Sequence, residues 1–197
     1  HRDLHKEYRR QRQMCIRDST RTVPEQETQE DMSRISELVG RIQGVRDYTV
    51  SLVDAVPESE WFRQPAEGVT HVAWQVGHLA MAQYRLALDR VRGVQPGDED
   101  LISEQVLSIY GKDSVPDPDP AANATPAEIR AAFDAVHARV IEEIGGMDDS
   151  ILPEPATQPH PVFGTKGGAL EWSAQHEMLH AGQIGLLRRL FGEDWLR

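Results

Sequence analysis

Apolar residues recur along this chain at alternating steps of three and four, the period of a helix with one buried face. In the first such run Ile35, Leu38, Ile42, Val45, Thr49, Leu52 and Val56 fall on a single stripe, and Pro57 stops the pattern. The spacing predicts a helix from about Thr28 to Val56 with a seam turned toward other helices. A second run, Thr70 to Arg92, places Trp74, His78, Met81, Ala82 and Leu88 on one side of an amphipathic helix, with Thr70 as N-cap and Gly93 at its end. His71 reads there as a first-turn residue, the alternative being a group at the rim of a site. The third run has the sharpest start: Thr125 as N-cap, Pro126 in the first turn, and Glu128 completing a capping box. Ile129, Phe133, Val136, Val140 and Ile144 form its stripe, and Gly145 and Gly146 end it. His137, beside that stripe, reads as structural. A fourth helix begins near 165–168 and runs to about Phe191, and its apolar stripe carries Ala169, Trp172, His176, His180, Gln183, Leu187 and Leu190.

The connections decide how these helices are arranged. Some thirty residues join the second and third, including a short helix from about Asp98 to Tyr110 and the proline-rich SVPDPDPAANAT. That length permits a crossover, so that helices two and three run the same way. The stretch from Met147 to Gly164, with Pro153, Pro155, Pro159 and Pro161, has the reach to fold over one end. The expected fold is therefore all-α, a four-helix bundle with a long crossover between helices 2 and 3, forming one domain over residues 23–197. Residues 1–22 stand apart. They are basic in an otherwise acidic chain and have no apolar run, and Arg9 to Ser19 is similar to a translated sequencing adapter. They are read as a leader outside the domain, non-native or disordered.

Charge and cysteine content narrow the function classes. The net charge is −11, and the body without its basic leader is more acidic still, which argues against a nucleic-acid partner because phosphates need a basic footprint. No stretch approaches the ~18 apolar residues of a membrane span. Cys15 is the single cysteine, so no internal disulfide framework exists and a cytoplasmic location is expected.

The candidate chemistry lies in the fourth run, in HEMLHAGQIGLLRRLFG. His176 and His180 stand at i and i+4, so both imidazoles point the same way, on the apolar stripe. His78 adds a third inward imidazole from the second helix. Three neutral histidines around a divalent ion leave a coordination position open, the mark of a catalytic rather than a structural site. Zinc, nickel and iron(II) all accept imidazole. A rival reading is the HExxH metalloprotease, with Glu177 as general base on a bound water. Its extended form would need Gly and His where this chain has Gln183 and Leu186. Glu177, about 100° round the helix from His176, reads as solvated.

Further candidates surround the triad. Gln183, one turn beyond His180, could orient a ligand. Arg85 could receive an anionic group of a substrate or thiol cofactor, although a salt bridge to Asp89 at i+4 is the favoured reading. The stripe Ala174, Met178, Ala181 and Gly185, opposite the histidines, could take a second helix in a homodimer. A non-catalytic module that binds metal or a small ligand, or a structural dimer, is the alternative to an enzyme.

Trp74-Gln75-Val76-Gly77-His78-Leu79-Ala80, followed much later by His176-Glu177-x-x-His180-Ala181-Gly182-Gln183-Ile184, resembles the DinB-like superfamily of metal-binding four-helix bundles. The similarity runs from about Ile35 to Phe191 and includes a Tyr-Gly-x-x-Ser segment at Tyr110 to Ser114. The resemblance implies that His78, His176 and His180 form the metal triad. It implies, as an expectation, a metal-dependent hydrolase or a transferase using a low-molecular-weight thiol such as bacillithiol or mycothiol, acting on a small-molecule substrate.

Overall fold

The computed structural model describes residues 33–194. The calls on the leader, on Cys15 and on a helix start at Thr28 lie outside the described residues. Among the described residues four long helices dominate and no helix is long and apolar enough to cross a membrane. The first, α1 (Arg34–Asp54), is capped by Ser33, whose side chain accepts from the Ser36 N–H. The second, α2 (Val72–Gln83), continues without a break into a π-helical stretch (Tyr84–Asp89) and a last turn (Arg90–Arg92), and Gly93 closes it at φ 80°. Two short helices follow, α3 (Asp98–Leu101) and α4 (Glu104–Ile109), where the sequence suggested one. The break falls at Ile102, which is extended, with Ser103 capping the second helix. Then come α5 (Pro126–Gly145), with the expected Thr125–Glu128 capping box, and α6 (Lys166–Leu190), capped by Thr165.

Ion pairs and hydrogen bonds between helices show their directions. Along α1 and α6, Arg34 pairs with Glu171 and Arg46 with Glu177, so the two helices run parallel. Along α2 and α5, Gln83 meets His137 and Arg92 meets Glu143, again parallel. Between α2 and α6 the order reverses, since Gln75 meets Gln183 and His78 lies beside His176. The crossover between the second and third long helices is therefore present. Ile129, Phe133, Val136, Val140 and Ile144 of α5 are fully buried, as their spacing predicted.

Three features of the seams differ from expectation. On α1 the buried positions include Arg46, while Val45 is only half-buried. Helix α2 is not one-sided: Val72, Ala73, Val76, Gly77, Leu79 and Ala80 are all buried. The crossover segment explains this, because it covers the face that would otherwise meet water. A Cβ on Gly77 would lie 2.5 Å from the Tyr110 ring, so the missing side chain is what lets α2 and the crossover close together. Third, the small-residue stripe of α6 is partly used within the chain: Ala181 is buried and Gly185 faces Leu52 of α1.

His71, not Thr70, caps α2. Its Nδ1 accepts from the Trp74 N–H at 3.1 Å, and its Nε2–H donates to the Asp117 carbonyl at 2.9 Å. Both ring nitrogens are thus engaged in fixing the crossover to the start of α2, and His71 is not a rim group.

Candidate metal centre

His78, His176 and His180 converge, with one ligand nitrogen from each lying within 4.8 Å of the others. Their ring centroids are 5.3, 4.7 and 4.5 Å apart. The i, i+4 spacing on α6 and the antiparallel approach of α2 suffice to bring them together.

Two of the imidazoles are held by the nitrogen that faces away from the cluster. His78 Nδ1–H donates to the Tyr110 carbonyl at 2.9 Å, and His180 Nδ1–H donates to Gln75 Oε1 at 2.6 Å. Each bond fixes the tautomer and leaves Nε2 with its lone pair free for an ion. The Gln75 amide is itself anchored, since its Nε2 donates to Thr70 Oγ1 at 3.0 Å and Gln183 Oε1 at 2.8 Å. Trp74 stacks on His78 with centroids 4.6 Å apart and an interplanar angle of 13°, and its indole N–H donates to Ser114 Oγ at 2.9 Å. The Trp-Gln-Val-Gly-His and Tyr-Gly-x-x-Ser segments therefore form one unit: a ligand, its orienting groups and the close approach that positions them.

Burial keeps the three rings neutral. It is the main cause lowering His78; it takes His176 down to about 4, helped by His78, and His180 down to about 3, helped by His176. Neutral imidazole is the form that binds a metal ion.

The remaining candidates fall differently. Glu177 is buried, not solvated: Arg46 Nε donates to Glu177 Oε1 at 2.7 Å and Nη2 to Oε2 at 3.1 Å. The same guanidinium donates to the Phe133 carbonyl and to Gln83 Oε1, both at 2.7 Å, and lies 3.4 Å over the Phe133 ring. This bidentate commitment removes Glu177 from any role as base. Gln183 is exposed and reaches the centre only through Gln75. Leu190, on the predicted apolar stripe, is exposed as well. The expected Arg85–Asp89 salt bridge does not form. The π-helical stretch carries both residues and alters the i, i+4 phase, and the buried Asp89 carboxylate accepts from Gln158 Nε2 instead.

A cavity of about 490 Å³ opens beside His78 and His176. Met81, Ala82, Leu86 and Trp172 give it an apolar wall, and Arg85, Arg90, Lys112 and His160 a basic one. The segment after α5 supplies Pro159 to Val162 as its cover. That cover is tied down where Thr157 N–H donates to the Arg90 carbonyl and Thr157 Oγ1 to the Asp89 carbonyl. His160 stacks on Phe163 at 4.2 Å, and its basicity is lowered by burial and then by Arg90 and Lys112. Sequence reasoning did not find Gln75 as an orienting group, or Arg90, Lys112 and His160. Gln75 was accessible, lying three residues before His78 on the same helical face. The others come from three separate segments that no local pattern connects.

The model of the DinB superfamily matches residues 41–184. The crystal structure of a conserved protein from Enterococcus faecalis superposes with a TM-score of 0.61 at 16% identity, covering 82% of this chain and 99% of that one. That likeness shows the fold. No curated protein matches the chain. The chain belongs to the DinB superfamily.

Proposed function

We propose that this member of the DinB superfamily is a metal-dependent enzyme of small molecules, a hydrolase or a low-molecular-weight-thiol transferase, with His78, His176 and His180 holding one divalent ion. The observation that carries the reading is the cluster itself: three neutral imidazoles, two with fixed tautomers, beside a cavity large enough for a small organic molecule. The donor set fits zinc, nickel or iron(II) alike. Such an ion supplies Lewis acidity that lowers the pKa of a thiol or water nucleophile.

The chain's own residues do the rest. Tyr110 and Gln75 hold two ligand rings in orientation, Trp74 covers one face of His78, and Met81 and Trp172 line the cavity wall. With Glu177 engaged by Arg46, the protease reading loses its base, which favours a thiol or a substrate-borne proton acceptor over HExxH hydrolysis.

The test is metal content followed by turnover. Protein reconstituted with zinc, nickel or iron(II) is expected to hold about one ion per chain by elemental analysis, and His176→Ala to hold none while keeping its helical circular dichroism. Thiol addition to a panel of electrophiles, run beside hydrolytic substrates, then separates the two reactions, and chelation should abolish either. A reconstituted protein without metal overturns the proposal; metal without turnover leaves the non-catalytic binding module.

A further inference from the structure

The chain is strongly acidic, with 32 Asp and Glu against 21 Lys and Arg, yet none of the residues lining the cavity beside His78 and His176 is acidic. Arg85, Arg90 and Lys112 line it together, from the π-helical stretch of α2, the turn that follows it, and the part of the crossover just after α4. Elsewhere in the fold several arginines are matched to carboxylates, Arg34 with Glu37 and Glu171, Arg46 with Glu177, Arg92 with Asp98 and Glu143, whereas Arg188 donates to the Asp194 carbonyl. At the cavity no such pair is formed.

The backbone contributes to this arrangement. In the π-helical phase the Arg90 N–H bonds the Arg85 carbonyl, which also accepts from Arg90 Nη1 at 3.1 Å. Arg90 is thereby folded back along the helix, and its Nε is buried without a hydrogen-bond partner. A buried guanidinium donor left unpaired is costly in a protein that has carboxylates in excess. A π-helical stretch is likewise a departure that tends to occur at functional sites. The π-helical stretch is what turns Arg85 and Arg90 to the same cavity, where an anion would supply the counter-charge that its lining lacks.

We infer that the cavity takes a small organic anion whose carboxylate or phosphate group is held by Arg85, Arg90 and Lys112 while its carbon skeleton lies against Met81 and Trp172, with its far end at His78 and His176. The inference rests on the proposed function in taking this molecule to be the substrate or thiol; the binding itself does not depend on a metal ion. The planar guanidinium forks of the two arginines suit a carboxylate or a phosphate ester.

Calorimetry on the full chain, freed of metal with chelator, separates the two ideas. The probes are 4-phenylbutyrate, phenyl phosphate and the neutral 4-phenylbutyramide. The anions are expected to bind at least about tenfold more tightly than the amide, the difference shrinking with added salt. Whichever anion binds better identifies the group. Arg85→Gln and Lys112→Gln, both at exposed positions and expected to fold, should each reduce anion affinity several-fold and leave amide binding unchanged; adding Arg90→Gln should remove the preference. Equal binding of anion and amide, or a preference that survives all three substitutions, overturns the inference. A failure of metal reconstitution with this preference intact would count against the proposed function alone.

Discussion

His176 and Glu177 are neighbours on one helix, yet the polar clusters they belong to are built on opposite terms. Around Glu177 every charge is answered from within the protein. Arg46, Gln83, the Phe133 carbonyl, His137 and Gln43 form one hydrogen-bonded chain across all four long helices, with Gln83 Nε2 donating to His137 Nδ1 and His137 Nε2–H to Gln43 Oε1. Around His176 the polar groups are answered on one side only. His78 and His180 are each bonded through Nδ1, which leaves the other nitrogen of each for the cluster, and His78 and His176 border the cavity. A closed network of this kind sets helix register and holds the bundle together, whereas a half-answered one is prepared for something from outside. Burial alone does not distinguish the two; the count of satisfied partners does.

Breaking the closed cluster should have the largest effect. Glu177→Ala leaves the Arg46 guanidinium buried with its countercharge gone, which costs about 3–5 kcal/mol, read as a fall in the urea midpoint. Replacing both partners, Arg46→Met with Glu177→Leu, should recover most of that stability and leave metal content unchanged. Loss of metal from the doubly substituted protein would mean that the two clusters are not separate.

The open cluster is expected to respond in affinity rather than stability. Gln75→Leu removes the acceptor for His180 Nδ1–H and should weaken metal binding by about 10–100-fold, the usual effect of losing an orienting partner. Competition against a chelating dye measures it. An unchanged affinity would show that packing alone holds His180 in place.

The smallest contrast is in pH dependence. His137 belongs to the closed cluster and is lowered to about 4, first by burial and then by Arg46. Its folded pKa lies below the unfolded value of about 6.5, so the unfolded chain takes up the proton first as pH falls. Stability is therefore fully present above about 6.5 and declines between there and about 4. His137→Gln should flatten that part of the curve in metal-free protein, leaving the slope due to the other histidines that burial lowers, His71, His78, His160, His176 and His180. If the slope is unaltered, His137 does not titrate with folding.

The sequence by itself determined the four helices, the capping box at Thr125, the crossover and the identity of the three clustered histidines. These are legible because helical period, capping chemistry and i, i+4 spacing are local, and because the motif segments around His78 and His180 carry the resemblance. The tertiary structure decided what each polar residue is for. Arg46 and Glu177, 131 positions apart, look like solvated charges when each helix is read alone, since a buried charge is recognisable only once its partner is known. Helix α2 looked one-sided because the segment covering its outer face lies beyond its end in sequence. The basic side of the cavity is assembled from the π-helical stretch of α2, the crossover and the cover after α5, and only folding brings those charges to one place.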